Sequence, residues 1–498
     1  MNVETAIMPL HELDVEVLVA IMFEGEALDA SPELESLNER SGGLIGSLIA
    51  SGEFRGKAYE TAYIHTPGRI AARRLLLVGA GKGDKPLSEM IRNTAGTAAR
   101  VIQSKQARSM GFVCRSAWEL DKAAQAATEG VLLGIFDVGS YQTQNKESRF
   151  FDSLIIAAAA GSLSALERGV ERGKILAKAT NFARHLTNEP SSEVTPSELA
   201  AQATAMAERF GLDIEVLDEQ QMRDKGMGAI LGVARGSDEP AKLIVIRYTP
   251  DGERRDGELL AMVGKGITFD TGGISLKPAE NMEKMKYDMA GGAAVLGAMR
   301  ALGQLRPPVP VLGVIPATEN MPSGRAQKPG DVIRSLSGKT IEVINTDAEG
   351  RLILADAITY ARQLGATRLV DLATLTGAVT VALGSVYAAI LGNDEQWVAE
   401  VIAAGKEAGE RYWPLPLDEA YREQIKSDIA DIKNIGGRKG GVITAAQFIQ
   451  EFVGDVPWAH LDIAGTAWLD EKKPYMASGP TGIGVRTLVY LTERLASR

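Results

Sequence analysis

The sequence predicts an α/β protein of two domains, each a mixed or parallel sheet wrapped by helices. Three observations predict it. Short β-branched runs alternate with amphipathic helical stretches along the 498 residues. Fifty-three glycines suit a fold with many tight strand-to-helix turns. The balance of 45% hydrophobic and 24% charged residues is that of an ordinary globular chain, at a length for which two domains are expected.

In the N-terminal part, residues 15–21, 74–78, 110–114 and 153–158 read as strands, and residues 86–105 as a helix between the second and third. Residues 163–186 read as one long helix, with Ala165, Leu166, Val170, Ile175, Leu176, Ala179 and Phe182 as its apolar stripe. Thr195-Pro-Ser-Glu198 has the pattern of a capping box and starts the next helix. Residues 243–248, 259–263, 309–315, 341–344 and 368–372 are the strongest strands of the C-terminal part. The expected division is an N-terminal domain over 1–162, a linker helix over 163–187 and a second domain over 188–498. No internal repeat or low-complexity tract interrupts it.

The polar motifs follow three of those strands, which places the functional site at the carboxyl edge of one central sheet. The first motif is Asn345-Thr-Asp-Ala-Glu-Gly-Arg-Leu352, after the apolar run 341–344. Asp347 and Glu349 together suit a hard divalent cation, and Arg351 adds a fixed positive charge. An acidic first helical turn is the alternative reading of the same residues. A second cluster, Val263-Gly-Lys-Gly-Ile-Thr-Phe-Asp-Thr-Gly-Gly-Ile-Ser-Leu-Lys-Pro278, changes the balance. Its glycines allow close backbone approach around Lys265, Asp270 and Lys277, and Met285-Lys-Tyr-Asp-Met289 adds Asp288. Neither this loop nor Gly79-Ala-Gly-Lys-Gly83 has the spacing of a phosphate-binding Walker motif, and the latter also lacks the third glycine of a dinucleotide loop.

These three segments, with Asp371-Leu-Ala-Thr-Leu-Thr-Gly-Ala378 and His460-Leu-Asp-Ile-Ala-Gly465, resemble the signatures of the leucyl (cytosol) aminopeptidase family over roughly residues 180–490. The resemblance implies a smaller macro-like N-terminal α/β domain and a larger three-layer α/β/α catalytic domain with a mixed central sheet. It implies a metal-dependent exopeptidase that releases N-terminal leucine and other apolar residues from peptides. Two divalent ions, Mn²⁺ or Zn²⁺, would be held by Lys265, Asp270, Asp288, Asp347 and Glu349, with Asp270 and Glu349 bridging. Lys277 and Arg351 would be the catalytic cations, Arg351 holding a bicarbonate ion that shuttles a proton. Met285, Thr374 and Gly377 would line the substrate pocket. The resemblance also implies a homohexamer.

Elementary chemistry agrees with a metal site. Four clustered carboxylates raise one another's pKa, and two dications would offset that charge. Lys265 can ligate only as the neutral amine, so an ion must displace its proton. An ion that takes a free α-amine would restrict the enzyme to chain starts.

Other chemistries lack their residues. The four histidines, His11, His65, His185 and His460, form no His-Glu-x-x-His, and no Gly-x-Ser-x-Gly elbow occurs. His460 reads as structural and the lone Cys114 as a small buried hydrophobe. A net charge of −10 argues against a nucleic-acid or membrane surface. The acid-bearing N-terminus does not read as a signal peptide, no run is long enough to span a membrane, and one cysteine fits a cytoplasmic protein. Lys433-Asn-Ile-Gly-Gly-Arg-Lys-Gly-Gly441 reads either as a surface loop or oligomer contact, or as a contact for an anion or substrate. Two other function classes compete with the peptidase: a DNA-binding or regulatory protein that keeps the fold, and a nucleotide-binding enzyme based on the glycines at 79–83.

Overall fold

The computed structural model describes residues 1–144, 152–251 and 257–497. The chain divides into two compact units, Met1–Lys178 with Asp470–Ser478, and Ala179–Leu469 with Gly479–Arg498.

The first unit contains β1 (Asn2–Ile7), β2 (Val17–Met22), α1 (Pro32–Arg40), α2 (Leu44–Ser51), β3 (Thr61–His65), β4 (Arg74–Gly79), α3 (Leu87–Ser104), β5 (Ser109–Val113), α4 (Leu120–Gly134) and β6 (Ser153–Ala158). The strands form one sheet in the order β1-β6-β5-β2-β4-β3, parallel except for β3. β2 is buried on both faces, as a central parallel strand must be, and separate apolar clusters lie on its two sides. β1 is an edge strand of mixed exposure and polar composition, so it has no apolar signal in the sequence. Cys114 is fully buried, and burial pushes its thiol up to about 12. At the end of β4, a Cβ on Gly79 would lie 1.9 Å from the Lys57 carbonyl oxygen. Close packing therefore accounts for that glycine without a phosphate.

The division between the units falls within the long helix α5 (Leu163–Asn188), after Lys178. In the second unit the chain continues through α6 (Pro196–Phe210), β7 (Asp213–Leu217), α7 (Glu219–Lys225), α8 (Gly228–Ala234), β8 (Lys242–Tyr248), β9 (Leu260–Gly264), β10 (Gly266–Asp270), α9 (Ala290–Leu305) and β11 (Val311–Asn320). It goes on through β12 (Val332–Arg334), β13 (Thr340–Glu342), α10 (Glu349–Gln363), β14 (Arg368–Ala373), α11 (Gly377–Leu383), β15 (Ala388–Gly392), α12 (Glu395–Ala408) and β16 (Tyr412–Pro414). Last come β17 (Ile432–Lys433), α13 (Gly441–Val453), β18 (Trp458–Asp462) and α14 (Val485–Ala496). Thr195 caps α6 by accepting from the Glu198 amide at 3.3 Å, which is one half of the expected capping box.

The central sheet runs β16-β15-β18-β14-β9-β11-β8-β7, with β10 also paired to β11. The core strands β18, β14, β9 and β11 are parallel, while β15, β8 and β7 join antiparallel, so the sheet is mixed. Ala261 and Val263 of β9 point into the apolar cluster shared with α8, α10 and α13. On the other face, Gly313 of β11 backs directly onto Val295 and Met299 of α9. Helices thus cover both faces, giving the expected three layers.

One expectation needs correction. The apolar run 341–344 is not a strand of the central sheet. Thr340–Glu342 forms β13, the middle strand of a small sheet with β12 and β17. The Asn345–Leu352 motif therefore reaches the central sheet's carboxyl edge from a neighbouring sheet. The motifs at 263–278, 371–378 and 460–465 do leave central strands, β9, β14 and β18.

Candidate active site

Lys265 lies in the one-residue break between β9 and β10. Its amide donates to the Leu372 carbonyl of β14 at 3.0 Å, and its carbonyl accepts from Gly292 of α9 at 2.8 Å. This clasp requires bare backbone: a Cβ on Gly291 would lie 2.1 Å from the Leu372 oxygen. The Lys265 ammonium reaches Asp288 at 2.7 Å, Glu349 at 2.8 Å and the Thr374 carbonyl at 3.0 Å. The Thr374 hydroxyl donates to Asp288 at 2.7 Å.

Asp270 ends β10. One of its oxygens accepts from the Gly272 amide and from the Asn320 side-chain amide, both at 2.8 Å. The other meets the Lys277 ammonium at 2.8 Å, and Lys277 also pairs with Asp347. Lys277 is brought there by a turn through Gly272 and Gly273, at φ +86° and +68°, closed by the Lys277 amide donating to the Thr271 carbonyl at 2.9 Å. The Asn345–Leu352 arm lies against this turn. The Thr346 hydroxyl donates to the Gly272 carbonyl at 2.6 Å and accepts from the Ser275 amide at 2.8 Å. Glu349 and Arg351 start α10.

The folded chain thus brings Lys265, Asp270, Lys277, Asp288, Asp347, Glu349 and Thr374 into one cluster. Carboxylate oxygens of Asp270, Asp347 and Glu349 lie within 4.8 Å of one another. Arg351 stands apart from it by direct contact: it is buried, and its Nη1 donates to the Asn434 carbonyl at 2.8 Å. Met285 is half-buried on the 3-10 turn Met282–Met289 that carries Asp288, and Gly377 is exposed at the start of α11.

Burial dominates the electrostatics. It pushes Asp270 up to about 6 and Asp288 up to about 8, with neighbouring acids adding to the rise, and it also raises Asp347. At Glu349 burial is outweighed by Lys265 and Lys277, and the carboxyl is held below its usual range. Burial opposes the charge on Lys265 and Lys277, but the surrounding acids win and hold both ammonium groups above their ordinary range. Burial pulls Arg351 down to about 10, which still leaves it charged at neutral pH.

The donor set fits divalent cations. It supplies hard carboxylate oxygens, and the buried Asp288 Oδ2 and Asp347 Oδ1 face ammonium groups without a well-aligned hydrogen-bond donor. Two such oxygens left without aligned donors are what ion coordination would satisfy.

Several residues escape a motif search. Asn320 joins Asp270 to the Thr346 carbonyl, the latter at 3.0 Å, yet it ends a strand whose apolar pattern stops earlier. Asp462, fully buried, accepts from the Leu375 amide at 3.2 Å and the Thr376 hydroxyl at 2.6 Å, which holds the loop that presents Thr374. His460 is buried with Nδ1 at 2.6 Å from Asp371, the pairing of a structural histidine, while its Nε2 is buried without a hydrogen-bond partner among the described residues. Gly350 is a signal the sequence does show without its reason: a Cβ there would lie 2.7 Å from Lys265 Cε. Gly350→Ala is expected to lower the melting temperature, because the added methyl in the first turn of α10 pushes the buried, ion-paired Lys265 away from Asp288 and Glu349. The same change should displace Lys265 and weaken Mn²⁺ binding about 10-fold or more, measured by calorimetry.

Comparison with known proteins gives one consistent result. The sequence profile of the cytosol aminopeptidase family, catalytic domain, matches residues 181–489, and that of the family's N-terminal domain matches residues 18–145. A probable cytosol aminopeptidase of Solibacter usitatus is 52% identical over 483 residues, covering 97% of each chain. One from Acidobacterium capsulatum is 47% identical over 492 residues, again covering 97% of each. Among solved structures, a mutant of tomato leucine aminopeptidase superposes with a TM-score of 0.89 at 34% identity, covering 99% of this chain and 96% of that one. The bottromycin maturation enzyme BotP in complex with Mn superposes with a TM-score of 0.83 at 33% identity, covering 97% and 100%.

Proposed function

The chain belongs to the cytosol aminopeptidase family and is a peptide-hydrolysing aminopeptidase, and from that premise we propose a two-ion enzyme that prefers N-terminal leucine and other apolar residues. The observation that carries this reading is the buried cluster of four carboxylates and two lysines at the end of β10 and the start of α10. Lys265, Asp270, Asp288, Asp347 and Glu349 would hold two divalent ions, with Mn²⁺ or Zn²⁺ as the candidates. When bound, the ions supply Lewis acidity that activates a water and polarises the scissile carbonyl.

The chain's own groups do the rest. Lys277 is 22% exposed, and so stands at the solvent side of the cluster. Its ammonium would stabilise the oxyanion that develops on the substrate carbonyl. Acid residues hold that ammonium protonated, as an oxyanion donor needs. Arg351 would hold a bicarbonate ion, whose planar carboxylate-like face suits a guanidinium and which could carry a proton. Thr374 fixes Lys265 and Asp288 through its carbonyl and hydroxyl, and the backbone from Thr374 to the exposed Gly377, with Met285, would border the peptide's first residue.

A homohexamer in the cytoplasm completes the proposal. The names of the relatives support the cytosolic location, and exposed apolar residues such as Val381 and Trp413 suit contact with another copy. Among the described residues, no helix is long and apolar enough to cross a membrane. Sedimentation should give six times 53.1 kDa.

The direct test of the substrate reading compares leucyl p-nitroanilide with its N-acetyl derivative in Mn²⁺. Hydrolysis of the first alone supports a site that needs the free α-amine. Equal hydrolysis of both would overturn the exopeptidase assignment.

A further inference from the structure

The loop after β17 supplies a residue that the site's chemistry does not itself identify. We propose that Asn434 is a positioning residue for the reaction: it sets the arm carrying Asp347, Glu349 and Arg351 to the geometry the two-ion site requires. The proposal rests on the two-ion aminopeptidase reading above.

Asn434 directly follows the β13–β17 ladder, in which Ile341 pairs with Ile432 and Glu342 with Lys433. Its amide donates to the Glu342 carbonyl at 2.9 Å. The side chain is fully buried and turned back across the arm. Its Oδ1 accepts from the Ile344 amide at 2.8 Å and, less closely, from the Asn345 amide at 3.3 Å. Its Nδ2 donates to the Asn345 carbonyl at 2.6 Å and lies 3.5 Å from the Ala348 carbonyl. Its own carbonyl accepts from Arg351 Nη1 at 2.8 Å. One residue therefore holds the arm before Asp347, at Ala348 between the two acids, and at the guanidinium beyond them.

Chemistry narrows the choice of side chain. Only a carboxamide both accepts twice and donates twice, and glutamine is a methylene too long for this depth. Ala348 carries no side-chain cap for α10. The local bonds before the helix, from the Asp347 amide to Asn345 Oδ1 at 2.9 Å and from the Ala348 amide to the Asn345 carbonyl at 3.3 Å, both rest on Asn345, whose carbonyl Asn434 holds in turn. From the other side the arm is held by Thr346 on the Gly272–Ser275 turn. Asn434 is its counterpart on the small sheet. Groups that orient metal ligands commonly control affinity or activity by about 10- to 100-fold. This gives the basic, glycine-rich segment 433–441 a specific role at its start: Asn434 anchors the acidic arm.

The test uses the full-length protein, metal-stripped and reloaded with Mn²⁺. Asn434→Ala removes the whole clamp. Asn434→Asp keeps the shape and the acceptor bonds but sets a second oxygen against the Asn345 and Ala348 carbonyls. Asp431→Ala serves as the control. It removes bonds from the same segment to the Thr340 amide and hydroxyl, at 2.8 and 2.9 Å, on the side away from the arm.

For both Asn434 variants, kcat on leucyl p-nitroanilide should fall about 10- to 100-fold with KM within about twofold. In a calorimetric Mn²⁺ titration, the weaker of two binding steps should weaken about 10-fold or more. Asp431→Ala should lower the melting temperature and leave kcat and both Mn²⁺ steps as in the parent. If Asn434→Ala does not fold, Asn434→Asp decides. Parent-like kcat and Mn²⁺ binding in a folded Asn434 variant would overturn the proposal. So would an equal loss in Asp431→Ala, which would reduce the effect to general stability. A parent protein that neither binds Mn²⁺ nor hydrolyses the substrate would instead overturn the two-ion reading.

Discussion

Lys277→Ala is expected to lower kcat about 100- to 1,000-fold, the usual loss when one oxyanion donor is removed. KM for leucyl p-nitroanilide should change by much less, because the interaction forms fully only as the carbonyl becomes tetrahedral. The structure gives the reason for choosing this residue over Lys265. Both lysines pair with acids, but Lys265 is enclosed by Asp288, Glu349 and the Thr374 carbonyl, whereas Lys277 keeps part of its surface open to solvent. Metal binding should survive the substitution or tighten, since an ammonium that competes for Asp270 and Asp347 is gone. Steady-state kinetics with a parallel Mn²⁺ titration checks both halves. A variant that loses metal and KM together would assign Lys277 to holding the site rather than to stabilising charge.

The second large effect is the dependence of metal affinity on pH. Lys265 is held as an ammonium by its acidic neighbours, burial notwithstanding, and burial raises Asp288 to about 8. An ion that uses both must expel their protons. The sign follows directly. Below pH 8 Asp288 increasingly holds a proton, so protons compete with the ion and affinity falls as pH falls. Each proton released changes the binding constant about tenfold per pH unit. Lys265 contributes one proton throughout the neutral range, and the Lys265–Asp288 pair contributes up to two below pH 8. Mn²⁺ calorimetry at pH 6, 7 and 8, in buffers of different ionisation enthalpy, counts them. Affinity independent of pH would mean that Lys265 does not ligate.

The chemistry-bearing residues were legible because they are unusual where they stand. Lysine and aspartate inside a glycine-dense loop after a buried strand, as at Lys265 and Asp270, have few structural reasons to be there. The residues that orient them were not legible. Asn320 and Asn434 read as ordinary loop formers, since asparagine is favoured in turns for its own local hydrogen bonds. What makes them matter is that Asn320 contacts Asp270 fifty positions away and Asn434 contacts Ile344 ninety away. No local pattern carries such contacts.

The fold was legible to a similar degree. The central strands β2, β4, β9 and β14 are buried on both faces and stand out as apolar runs, whereas β1 pairs only at an edge. The run 341–344 was misplaced because an apolar β-branched segment does not say which sheet it joins. The N-terminal unit carries no legible motif, although residues 18–145 match the family's N-terminal domain. Its strands are kept by packing, and packing constrains size more than identity.

The central claim is a two-ion site built by the arm, the glycine turn and the α9 entrance together. The measurement that tests it most directly is a Mn²⁺ titration of the metal-stripped protein with bound metal and leucyl p-nitroanilide hydrolysis followed in the same samples. The account predicts two ions per chain, no hydrolysis without metal, and activity that returns as the ions load. Full activity in the stripped protein, or saturation at one ion with Asp347→Asn no different from the parent, would contradict it.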